Sequence, residues 1–201
     1  MQIVQCNFVL NIRNFSGLNA FSLNIQSLSS KFEELKIFLD RIENSGGNVS
    51  VLVEIWDVSI LNLFFIKDFE LFTNTRETSK GGGVAIYCKR DFNPKLIPGL
   101  VRQKTFTFES IAIEISLENV SVFIGSYYRS NKYFSINNSS NQFEPFFNEL
   151  LSFLEICNNS NCKSYIFKDI NIDHLKEIND VISEYTMHIL FPGFSPLNFA
   201  T

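Results

Sequence analysis

The pair of segments 108–117 and 120–128 constrains the fold more than any other part of the chain. In the first, Ile111, Ile113 and Ile115 fall on alternate positions. Successive side chains on a strand point to opposite faces, so the alternation sets the three isoleucines against a core and marks a half-buried strand. Only Glu118 and Asn119 separate it from the second run. A gap that short closes a hairpin and cannot hold a crossover, so the two strands are antiparallel.

The other segments set this hairpin in a mixed α/β order. Residues 20–25 read as a strand ending near Asn24, followed by a polar stretch and a helix for which Ser30 is the N-cap and Glu33 the capping-box partner. Phe32, Leu35, Leu39 and Ile42 share one face of that helix, and Gly46 and Gly47 follow its end. Residues 49–54 form a buried strand that delivers Glu54 at its exit. Short strands are expected at 69–74, at 84–88 and at 164–167, with a polar loop at 131–141 and a helix over 143–156 carried by Phe147, Leu150, Leu151 and Leu154. The order favours an α/β domain with mainly antiparallel sheets over a doubly wound parallel one. The tract Gly81-Gly82-Gly83 precedes a strand and no Gly-Lys-Ser/Thr follows it. It reads as a tight turn with positive φ, not as a nucleotide-binding P-loop.

Composition narrows the function. With 201 residues, 45% hydrophobic and 19% charged, the chain has the makings of one ordered domain. The 22 Phe residues sit in Asn-, Ile- and Ser-rich surroundings and reflect a base-composition bias of the gene. A net charge of -4 argues against a broad basic surface that grips nucleic acid by phosphate neutralisation alone. It leaves room for an enzyme with acidic metal ligands and local Lys or Arg. Cys6, Cys88, Cys157 and Cys162 lack zinc-type spacing, so reduced, mostly buried thiols and an intracellular setting are expected. The first residues lack a basic leader and a cleavage site, and no run of about eighteen apolar residues occurs, so neither secretion nor a membrane span is expected. The Asn-X-Ser sequons at Asn14, Asn48 and Asn119 are then accidents of composition.

Chemistry concentrates in Lys168-Asp169-Ile170-Asn171-Ile172-Asp173, at the end of the apolar run 164–167. Asp169 and Asn171, two apart, share a face of a strand. A carboxylate there can handle a metal or a water, and an amide can meet a phosphate oxygen. An Asx-rich turn after a buried strand accounts for the same six residues. Both readings stand on the local pattern.

Five strand-end motifs then occur in one order: Ser22-Leu23-Asn24-Ile25-Gln26-Ser27-Leu28, Val53-Glu54-Ile55-Trp56, Gly81-Gly82-Gly83-Val84-Ala85-Ile86-Tyr87, Ser126-Tyr127-Tyr128-Arg129-Ser130, and the run from Lys168 to Asp173. Together they resemble the endonuclease/exonuclease/phosphatase superfamily, and more narrowly the endonuclease domain of non-LTR retrotransposons. The resemblance runs from about residue 19 to beyond 185, with 1–18 as an N-terminal extension and 19–201 as the domain. It implies a four-layer αββα sandwich of two mainly antiparallel sheets flanked by helices. It also implies a Mg²⁺ or Mn²⁺ site and hydrolysis of one phosphodiester in DNA that leaves a 3′ hydroxyl for reverse transcription. By the same resemblance Glu54 binds the metal with Asn24 beside it, Tyr128 contacts the scissile phosphate, Asp169 orients or deprotonates water, Asn171 bonds the phosphate and Arg129 adds charge for the substrate. Trp56 is expected to pack under the site.

The chain departs from the family's pattern in three places, the mildest being Glu54-Ile55-Trp56 where the family has Glu-Thr-Trp. Lys168 stands where the family has Gly, and after Phe191-Pro192-Gly193-Phe194 the expected motifs blur. Neither His174 nor His188 has the context of the family's catalytic histidine. Thr201 comes before the last strands with their aspartate and histidine, which leaves an exposed sheet edge open to self-association. The expected function is therefore a metal-dependent DNA endonuclease of a parent that also carries a reverse transcriptase, nuclear when functional. A non-catalytic remnant or interaction module of the same fold is the alternative.

Overall fold

Alternation along β-strands decides which side chains meet between two sheets in this chain. In the computed structural model the described residues are 6–11, 18–43, 48–56, 61–76, 81–104, 108–117, 120–129, 144–159 and 162–169. They belong to the unit Met1–Ile170, and the second unit, Asn171–Thr201, lies outside them.

The first sheet contains β1 (Cys6–Asn11), β2 (Asn19–Asn24), β3 (Val49–Val53), β4 (Phe69–Asn74) and β5 (Val84–Lys89), in the order β1-β2-β3-β5-β4. The second contains β6 (Lys95–Leu96), β7 (Arg102–Lys104), β8 (Phe108–Leu117), β9 (Val120–Arg129) and β10 (Lys163–Asp169), in the order β10-β9-β8-β6, with β7 also on β8. Only β2 with β3 and β9 with β10 run parallel among the described pairings, and each pair is bridged by a helix, as a parallel crossover requires. These helices are α1 (Leu28–Glu43) and α2 (Glu144–Asn159).

The expected hairpin is present. β8 and β9 pair without a break from Phe108 opposite Arg129 to Leu117 opposite Val120. Ile111, Ile113 and Ile115 of β8 and Val122 and Ile124 of β9 turn inward to meet Ala20, Val49, Val51, Val53, Val84 and Ile86 of the first sheet. The opposite faces carry the helices. Phe21, Leu23, Leu52 and Tyr87 meet Leu28, Leu35 and Leu39 of α1. On the second sheet, Tyr127 stands edge-on to Phe153 of α2, with ring centroids 5.7 Å apart. Gly125 lets that Phe153 ring reach the sheet, since a Cβ there would lie 3.1 Å from the ring's Cζ. The result is an αββα sandwich.

Several boundaries differ from the sequence expectation for local reasons. Helix α1 starts before Ser30, and Ser27 is the residue whose Oγ accepts from the Ser30 N–H, at 3.4 Å. Leu28 explains the shift, because its side chain is buried and its N–H is tied to the Ile55 carbonyl. Cys6–Asn11, in the stretch read as an extension, pairs with β2. β6 and β7, of two and three residues, are too short to leave a periodic signal. Cys88 and Cys157 are buried free thiols, with Cys162 partly exposed. No helix among the described residues is long and apolar enough to cross a membrane.

Two outcomes follow for stability. Gly125→Val should overpack the Phe153 contact and destabilise the chain by about 1–3 kcal/mol in urea unfolding, with partial recovery in Gly125→Val/Phe153→Leu. The second concerns alkali. Burial, then the charge of Glu70, pushes the Cys88 thiol up to about 12 from 9.0, and burial raises the Tyr87 hydroxyl above its usual 10.0. Both groups lose protons more readily unfolded than folded, so the stability they contribute is complete below those unfolded values and is lost progressively as pH rises from them through the higher folded ones. Urea midpoints should hold to about pH 9 and fall increasingly above about pH 10, less steeply in Tyr87→Phe.

Candidate active site

The strand ends of both sheets meet at one rim of the sandwich. Asn24 ends β2, its Cα partner Val53 ends β3, and Glu54 follows directly. In the other sheet, Asp169 ends β10 opposite Tyr128 of β9. Asn24 lies on the face of Ala20, Tyr128 on that of Val122 and Ile124, and Asp169 on that of Phe167, all residues of the inter-sheet core. These polar groups therefore sit where the apolar filling of the sandwich stops.

Two hydrogen bonds cross from sheet to sheet. Asn24 Nδ2 donates to Asp169 Oδ2 at 3.2 Å, and the Tyr128 hydroxyl donates to Glu54 Oε1 at 3.1 Å. Burial raises the Tyr128 hydroxyl above its usual 10.0, and the neighbouring charges of Glu54, Glu109 and Asp169 push the same way. Tyr128 thus keeps its proton and serves as a donor. With its amide nitrogen committed to Asp169, Asn24 presents Oδ1 as a buried acceptor that has no hydrogen-bond partner among the described residues. A buried acceptor left unsatisfied costs about 1–3 kcal/mol, so its natural complement is a cation or a donor that arrives with the ligand.

The loop carrying Glu54 is held from both sides. Ser27 N–H donates to the Glu54 carbonyl at 2.8 Å and Leu28 N–H to the Ile55 carbonyl at 3.0 Å. On the other side, Ile55 N–H donates to Gly83 O at 3.4 Å and Trp56 N–H to Gly82 O at 2.8 Å. Glu54 and Trp56 have φ of 57° and 62°, in the left-handed region that side chains other than glycine adopt at a cost. Gly81, Gly82 and Gly83 all have positive φ, as a tight turn demands.

Of the residues expected at the site, Asn24, Glu54, Tyr128 and Asp169 come together. Arg129 is 1% exposed and alternates to the α2 side of β9, away from Tyr128. Asn171, His174, His188 and the Lys168 side chain lie outside the described residues. Trp56 is 43% exposed, where packing beneath the site was expected.

Sequence reasoning missed Glu109 and Arg76. Glu109 is wholly buried, stands opposite Tyr128 on β8, and pairs with Arg76, whose side chain is 5% exposed. The available signal was a carboxylate two residues before Ile111, on the inward positions of an otherwise apolar alternation.

Among the described residues no group of three or more His, Cys, Asp and Glu side chains is arranged to hold a metal ion. The oxygens at this rim are those of the Glu54 and Asp169 carboxylates and Asn24 Oδ1. Such oxygens are the donors that a hard cation takes.

No family model matches the chain, and no curated protein does. Solved structures do. An AP endonuclease, LMAP, from Leishmania major is 12% identical over 84% of this chain and 61% of its own, with a TM-score of 0.58. TDP2 of D. rerio, humanised by 14 mutations, is 12% identical over 76% of this chain and 66% of its own, with a TM-score of 0.53. TDP2 from C. elegans is 15% identical over 76% and 47%, also with a TM-score of 0.53. This chain thus spans less than two thirds of the length of each. At such identities the likeness is one of fold, and the chain shares the αββα sandwich of these structures.

Proposed function

We propose that the chain is a metal-dependent phosphodiesterase domain that cuts one strand of DNA. The observation that carries the reading is the junction of Asn24, Glu54, Tyr128 and Asp169 by hydrogen bonds between the two sheets, with one buried amide oxygen left over. Glu54 and Asn24 Oδ1 are the groups to hold Mg²⁺ or Mn²⁺. When bound, such an ion offsets the charge that builds on phosphate oxygens as the phosphorus takes a fifth ligand.

The remaining steps belong to the chain's own side chains. Asp169 aims the attacking water and takes its proton, and the bond from Asn24 Nδ2 sets the orientation of that carboxylate. Tyr128, which stays protonated, offers its O–H to a non-bridging phosphate oxygen and adds no negative charge beside the anion. Asn171 is read as a second neutral donor. Arg129, enclosed on the far side of β9, is read as an internal cation and not as a substrate contact.

The narrower reading, an endonuclease of a non-LTR retrotransposon that leaves a 3′ hydroxyl for a reverse transcriptase in the nucleus, rests on the five motifs in order. A non-catalytic module of this fold is the second reading. Lys168 in place of the family's Gly and the blurred motifs after Phe194 favour it.

Nicking of supercoiled plasmid separates the two. The chain should nick with Mg²⁺ and stop when the metal is chelated. Glu54→Ala and Asp169→Ala should each lower the rate by about 10²-fold or more, and Tyr128→Phe by about tenfold. Equal cleavage by all four proteins, or none by any, would overturn the catalytic reading. Binding gives a second check: saturating Mn²⁺, at about a hundred times its Kd, should stabilise the chain by about 2.7 kcal/mol and leave Glu54→Ala unchanged.

A further inference from the structure

We infer that the buried Arg76–Glu109 ion pair is a positioning device that clamps the Gly82–Gly83 turn and, through it, fixes the loop that presents Glu54. The inference rests on the reading of Glu54 as the metal-holding carboxylate. It adds two residues that touch neither metal nor substrate.

The contacts form a closed ring. Glu109 Oε1 pairs with Arg76 Nε, and Glu109 Oε2 accepts the Gly83 N–H at 3.4 Å. The Arg76 guanidinium lies flat against Gly82, so that a Cβ there would be 2.7 Å from its Cζ. On their other side the two glycines receive the N–H groups of Trp56 and Ile55. Ile55 also presses on Gly83, where a Cβ would come within 2.9 Å of its Cγ1. Glu54 closes the ring by accepting from Tyr128, the strand partner of Glu109.

Stability alone does not explain such a pair. Replacing both partners of a buried ion pair by apolar residues of similar volume often leaves stability unchanged or raised, whereas losing one partner is costly. What an apolar pair could not supply is an acceptor for Gly83 N–H and a flat cation over Gly82. The turn they hold is the part that keeps Glu54 and Trp56 in left-handed conformations.

Trp56 is the chain's single tryptophan, so its fluorescence reports on this loop directly. In the full chain, Glu109→Gln should speed hydrogen exchange at the Ile55 and Trp56 amides by about tenfold, while Val51 in the core of β3 exchanges as before. Acrylamide should quench Trp56 more readily, and Mn²⁺ affinity measured by water proton relaxation should fall about tenfold. Arg76→Met should do the same, and Arg76→Lys should recover part of the loss. Should Glu109→Gln fail to fold, Arg76→Lys decides on the same readouts.

Unchanged exchange at Ile55 and Trp56 in a folded variant would overturn the inference. So would a loosening that tracks the urea midpoint and takes Val51 with it, because that is what a purely structural pair would produce. If wild type takes up no Mn²⁺ while Glu109→Gln still loosens the loop, the metal role of Glu54 fails and the clamp stands.

Discussion

Two cross-sheet hydrogen bonds, Asn24 to Asp169 and Tyr128 to Glu54, are the constraint on which the site depends. Between the sheets the filling is mainly Val and Ile, which hold the layers together without specifying how the strand ends line up. At the rim that filling gives way to groups with directional demands. The amide N–H of Asn24 and the phenol of Tyr128 can reach the carboxylates of Asp169 and Glu54 only if β2 and β3 end level with β9 and β10. The polar rim therefore turns a non-directional apolar association into a defined register between sheets.

The same rim concentrates negative charge. Glu54, Asp169 and Glu109 all bear on Tyr128, and Arg76 pairs with Glu109. Glu109 itself is pushed above the usual carboxylate range by burial, with Arg76 and the Gly83 N–H pulling the other way. The two remaining carboxylates are spread between the partners of the cross-sheet bonds.

The layered architecture was legible in the sequence because period-two alternation survives in long strands. Ile111, Ile113 and Ile115 announced β8, and the helices showed through Leu35 and Leu39 and through Leu150 and Leu154. Short elements such as β6 escaped, since two residues carry no period. Asn24, Glu54, Tyr128 and Asp169 were readable as polar punctuation at strand ends, but the partner of each was not. The bonds join residues 145 and 74 positions apart, and no local pattern encodes such a pairing. The Ser27 cap was displaced from the expected Ser30 for a related reason: burial of Leu28, a tertiary effect, decided where the helix begins.

Glu109 shows how an apolar pattern can conceal the residue that matters. Its position two before Ile111 makes it a core residue by the alternation that identified the strand, and a core position is the most expensive place for a charge. A carboxylate that breaks an inward-facing apolar row must be answered by a cation and by N–H groups. The chain offers both within one turn, as Arg76 precedes the glycines whose backbone supplies the donor. Only residues without a Cβ let the guanidinium and the Ile55 side chain approach that backbone so closely. The glycine tract and the buried charge pair are thus one device. The phosphate-loop reading of those glycines fails physically as well as by motif, because the Gly83 N–H already has an anion of its own.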